Sequence, residues 1–143
     1  MNEPISAQEE LACRVLAREA AETDPSSVRA SQRAIEKLRL YLTKFIGAAG
    51  FHSMLTRALA LAKVQRPGLA SVQVNPDGTL AGIDDAAQVR GGGAAEKAEA
   101  AVLTQLLALL VVFIGANMTL HIVQNIWSGT RLDDLNFDAG EKI

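Results

Sequence analysis

The chain is predicted to be mainly α: a bundle of four principal helices with a small β-hairpin before a long C-terminal helix. Three observations predict it. Apolar residues recur at three- and four-residue intervals through most of the chain. Asn75-Pro76-Asp77-Gly78 interrupts that rhythm with strong turn chemistry. From Ala100 to Thr130 there is no Asp, Glu, Lys or Arg, so one helix is unusually apolar. The 143 residues suit a single domain, parsed as a three-helix part (1–65), a hairpin and Gly-rich linker (66–93), a long helix (94–128) and a tail (129–143). Apolar residues at 49% can build a core, and aromatics at 4% mean that Leu, Ala, Val and Ile must fill it.

The first helix starts at Ser6-Ala7-Gln8-Glu9, which has capping-box spacing. Leu11, Val15, Leu16 and Ala20 form its inner stripe, and Glu9, Glu10, Arg14, Arg18, Glu19 and Glu22 its wet face. Asp24-Pro25 closes it and opens the second helix, from Ser26 to Ile46. There Val28, Ile35, Leu38, Leu42, Phe45 and Ile46 make one stripe. Gly47-Ala48-Ala49-Gly50 should break or bend the chain before a third helix. That helix turns Phe51, Met54, Leu55, Ala58, Leu61 and Ala62 inward and stops at Arg66-Pro67-Gly68. Ser71 to Ile83 reads as a hairpin that must lie on the helices, because two strands alone are marginal. Arg90-Gly91-Gly92-Gly93 reads as a linker, since no Gly-Lys-Ser/Thr follows to make a phosphate loop. The last helix is expected to run unbroken from Ala94 to Ser128, with Gly129 as its stop. No internal repeat is read along the chain.

The long helix changes character halfway. Leu106 to Ala116 carries no polar side chain, whereas Asn117, His121, Gln124 and Ser128 then share a wet side. Ala101, Thr104, Ala108, Gly115 and Thr119 fall along one side and give the first half a small-residue groove, opposite a ridge of Leu103, Leu106, Leu110 and Ile114. Unbroken, the rod would be ~50 Å long, more than a small domain can cover. The ridge is therefore expected to be a self-association seam, with a dimer favoured. An alternative is insertion of residues 101–122 in a bilayer, although Gln105, Asn117 and His121 sit awkwardly there.

Charge and motif content narrow the functions. The formal charge of −2 gives no basic field and there is no recognised motif, so nucleic acid is not expected. The lone Cys13 fits a reducing, cytoplasmic setting and is expected to be a buried thiol, and the N-terminal residues predict no secretory signal. His52 and His121 lack metal-ligand spacing, and Glu96 with Glu99 is only half of a carboxylate motif, so no metal or cofactor is expected. Arg29, Arg33, Lys37 and Lys44 share one face of the second helix, and Leu132, Leu135 and Phe137 punctuate an acidic tail. Each is a candidate partner-binding surface. Asn117, His121 and Gln124 form a candidate polar pocket. No catalytic motif is present. The expectation is a non-enzymatic interaction or regulatory module that self-associates and presents the basic face or the tail to a protein partner. The alternatives are a membrane-anchored protein and a ligand-binding or enzymatic bundle.

Overall fold

A computed structural model describes residues 7–22, 30–66, 69–82, 94–130 and 132. Its elements are α1 (Ala7–Glu22), α2 (Ala30–Gln65), β1 (Gln73–Val74), β2 (Leu80–Ala81), α3 (Ala94–Ile114) and α4 (Ala116–Ile126). The chain is thus mainly helical with a small antiparallel hairpin. α2 packs most extensively on α3, and α1 packs on both. The Ser6 cap, the Asp24-Pro25 junction, Arg29, the Gly91–Gly93 joint, Leu135 and Phe137 lie outside the described residues.

Each helix forms because its apolar residues fall on one side, but the face of α1 is rotated from the expected one. On α1, Leu11, Ala12, Val15 and Glu19 are buried, while Ala20 is exposed. A carboxylate therefore sits where alanine was expected. Cys13 is exposed, not buried. The hairpin pairs Gln73 with Ala81 and Val74 with Leu80. Its turn is closed by Gly78 N–H donating to Asn75 O at 2.9 Å and Thr79 N–H donating to Asp77 Oδ1 at 3.1 Å. It rests on α2: a β-carbon on Gly78 would lie 3.1 Å from Arg39 Cδ and 3.3 Å from Phe51 Cδ2.

The two long helical stretches are each bent at one glycine. α2 runs through Gly47, whose φ 79 and ψ 166 are non-helical, and residues 48–50 are already helical again. The last helix is not the unbroken rod expected to Ser128. Gly115, at φ 91 and ψ 160, separates α3 from α4. That region of backbone space is essentially reserved for glycine. Neither glycine has any atom within 4 Å of where a β-carbon would be, so the backbone conformation, not crowding, demands it. The bend keeps α4 against α2, where Asn125 Nδ2 donates to Tyr41 Oη at 3.1 Å.

Bending the rod also overturns the expected seam. Leu103, Leu106 and Leu110 are buried in the protomer's own core, and only Ile114 of that ridge is exposed. α3 packs on α1 and α2, and 33% of its apolar span from Lys97 to Ile114 is buried in the protomer.

The structure further shows a repeat that the sequence reading missed. Phe45-Ile46-Gly47-Ala48 recurs as Phe113-Ile114-Gly115-Ala116, an offset of 68 residues. The offset holds far beyond the identical residues. Ile35 and Leu103, Leu38 and Leu106, Leu42 and Leu110, Phe51 and Thr119, Leu55 and Val123, and Leu59 and Trp127 are equivalent pairs, and every member is buried. Exposure matches as well: Phe45 and Phe113 are both 68% exposed, and Ile46 and Ile114 are 42% and 41% exposed. The bundle is two helix–bend–helix units side by side, with α1 and the hairpin added. Ser31 Oγ donates to Glu99 Oε1 at 2.7 Å, and these two are themselves an equivalent pair. The two units therefore meet at equivalent positions near Ser31 and Glu99.

Candidate functional site

The two bends come together at one end of the bundle. Between them lies an open cleft of about 1000 Å³. Its walls are built in pairs by the repeat. Tyr41 and Leu109, Leu42 and Leu110, Phe45-Ile46 and Phe113-Ile114, and Met54 and Ile122 are equivalent pairs that all line it. The units thus meet around the cleft at one end and at Ser31 and Glu99 at the other. The Tyr41 and Phe45 rings pack at 5.3 Å between centroids, tilted by 38°, which stiffens one wall. A soluble bundle would normally turn such residues inward. Here the glycine bends turn the chain between each Phe-Ile pair and the next helix, so the pair stands exposed at the tip among the described residues.

Polar groups are few. Ser53, Arg57 and His121 line the cleft, and among the described residues no carboxylate or thiol does. On one side Arg57 lines it and Lys44 is exposed next to Phe45, whereas the other unit carries no Asp, Glu, Lys or Arg from Ala100 to Thr130.

A second polar feature lies where α1, α2 and the end of α4 meet. Glu19 is 1% exposed. Trp127 Nε1 donates to its Oε1 at 2.9 Å, Lys37 Nζ is 2.8 Å from the same oxygen, and Arg33 Nε donates to Oε2 at 2.9 Å. Burial by itself would raise the pKa of this carboxyl. The hydrogen bonds from Lys37, Trp127 and Arg33 outweigh that and hold it at about 2. The arrangement is a fully engaged strut, with three donors on one carboxylate and two cations satisfied. Among the described residues its polar groups are engaged with one another.

The sequence-derived candidates are scattered over these two features. The basic face of the second helix is not a free surface. Arg33 and Lys37 turn inward to Glu19, Lys44 stands exposed beside the tip, and Arg29 is outside the described residues. Of the polar pocket, His121 lines the cleft, Asn117 is exposed beside it, and Gln124 Nε2 donates to the carbonyl of Thr130 at 3.0 Å. They share no cavity. Of the tail residues, Leu132 is buried in the core, and Leu135 and Phe137 are outside the described residues. Glu99, expected on a solvated helix start, is buried. The Cys13 thiol is pushed up by partial desolvation and by the charges of Glu10 and Glu9, the opposite of what activates a nucleophile. Among the described residues no group of three His, Cys, Asp or Glu is placed to hold a metal ion.

The cleft was missed because its residues look like core. Phe45, Ile46 and Ile114 continue the buried stripes in the helical periodicity, and only the glycine after each pair signals that the stripe ends in the open. The repeated Phe-Ile-Gly-Ala was the available clue. Comparison with family models, with curated proteins and with solved structures finds no match to this chain.

Proposed function

We propose that this is a non-enzymatic interaction module whose working surface is the cleft at the two bends. One observation carries the reading: Phe45, Ile46, Phe113 and Ile114 stand exposed around a preformed apolar concavity. Exposing two phenylalanines and two isoleucines together is unfavourable in water, and contiguous patches of that kind mark binding sites. The lining supports binding over catalysis. His121 has no carboxylate or thiol partner among the cleft residues, so no acid–base couple or activated nucleophile is assembled there. By length and hydropathy alone, Ala30–Gln65 and Lys97–Ile114 could each cross a membrane. Their mutual packing, and the buried Glu19 and Glu99 on them and on α1, fit a bundle better.

The test is photocrosslinking in the living cell. A photoreactive phenylalanine analogue at position 113 should give a discrete protein adduct, whereas the same group at Ala21, exposed on α1, should give none. Absence of any adduct from position 113, or equal labelling from both positions, sinks the proposal.

A further inference from the structure

Resting on that reading of the cleft, we infer that its occupant is a second copy of this chain. The copies pair tip to tip, with the Phe45-Ile46 tip of each seated against the Phe113-Ile114 tip of the other.

Three features of the surface lead there. The first is size. Phe45, Ile46, Val112, Phe113, Ile114 and Met118 are between 41% and 78% exposed. Taking roughly 150–250 Å² for a whole aromatic side chain and proportionate areas for the others, they offer on the order of 700 Å². A standard stable interface buries roughly 800 Å² per partner, so this patch with its rim is one half of such an interface. It exceeds the roughly 300–600 Å² typical of the largest patch on a monomer.

The second is symmetry. A two-fold dimer needs a surface that complements itself, because residue i meets j while j meets i. The cleft already consists of two equivalent walls, each with the same Phe-Ile pair at its crest. Either wall can therefore meet the corresponding wall of another copy in a reciprocal, isologous contact. An unrelated partner helix would gain nothing from this duplication.

The third is charge, which also sets the pairing. Lys44 is exposed beside Phe45, and its equivalent in the second unit is Val112, the most exposed residue of the group at 78%. Arg57 lines the cleft, and its equivalent is Asn125. One tip is therefore cationic and the other neutral. Seating first tip on first tip would bring like charges together at the axis. Seating first on second places each Lys44 over an uncharged wall and covers Val112.

The experiment uses the full chain with Cys13 replaced by serine, so that engineered thiols are the only ones. Light-scattering mass without detergent should give two chains for the parent and one for Phe45→Asp/Phe113→Asp, with unchanged helical circular dichroism. Should that pair fail to fold, Val112→Lys serves instead. It copies the residue found at the equivalent position, so the unit tolerates it, and it should weaken pairing by about tenfold or more. Ala49→Cys and Asn117→Cys chains, both exposed and equivalent, are then mixed under mild oxidation. Disulfides should join 49 to 117 in preference to 49 to 49. A parent that stays monomeric, a dimer indifferent to Val112→Lys, or a dominant 49–49 link each overturns the inference. A monomer that floats with phosphatidylcholine vesicles overturns it in favour of a lipid surface. A monomer whose photo-adduct at position 113 is a different protein overturns self-pairing yet leaves the interaction reading standing.

Discussion

At the scale of single residues, Glu19 is where the fold places an electrostatic strut inside an apolar bundle. Its carboxylate joins α1 to α2 through Arg33 and Lys37 and to the end of α4 through Trp127. The folded pKa of about 2 lies below the ordinary value of 4.5. The sign follows directly. The unfolded chain binds the proton more readily, so the stabilisation is complete above pH 4.5 and is lost as pH falls from there toward 2. The difference corresponds to on the order of 3 kcal/mol. Glu19→Gln removes the charge and leaves two cations near a buried amide, and breaking such a site by one partner costs about 3–5 kcal/mol. Urea denaturation should show that loss at pH 7 and a gap to the parent that narrows by pH 3. A deficit equal at both pH values would mean that shape, not charge, holds the junction. None of this was legible in the sequence. Glu19 falls one position from the apolar stripe of a helix rich in surface charge, and its partners lie 14, 18 and 108 residues away.

At the scale of elements, local chemistry was legible wherever it is self-contained. Asn75-Pro76-Asp77-Gly78 carries its own turn, and the hairpin forms around it with the expected two strands. The bends are another matter. A single glycine in a helical pattern costs about 1 kcal/mol and is often tolerated, so Gly115 did not announce a break. What breaks α3 from α4 is the tertiary need to lay Asn125 beside Tyr41 and to bury Ile122 and Val123. The same logic gives a quantitative expectation. Alanine has room at both positions, since nothing lies within 4 Å of its β-carbon, but it cannot hold φ 79 or φ 91 without strain. Gly47→Ala and Gly115→Ala should therefore each cost about 1–3 kcal/mol, and by similar amounts because the positions are equivalent. Denaturant midpoints check this. A neutral or stabilising effect at either glycine would show that the helix can run straight there, and that the bend is not built into the fold.

At the scale of the whole molecule, the duplicated unit explains why fold class was legible while the surface was not. Periodicity reports that a residue faces something apolar, but not whether that something belongs to the same chain. Leu106 and Phe113 lie seven residues apart in one apolar run and read alike. The structure makes the first a core residue and the second a crest. The repeat that distinguishes them is faint because equivalent positions keep burial rather than identity, as with Phe51 and Thr119 or Ala62 and Thr130. The distinction is measurable as a difference between two substitutions. Leu106→Ala removes fully enclosed packing and should cost about 2–5 kcal/mol at any protein concentration. Phe113→Ser, measured dilute enough that chains are apart, should change stability by no more than about 0.5 kcal/mol. As concentration rises the parent should gain stability by mass action, because pairing draws on the folded state, and Phe113→Ser should not. Equal losses from the two substitutions in dilute solution would mean that Phe113 is part of the protomer's interior and that the cleft is closed by its own chain.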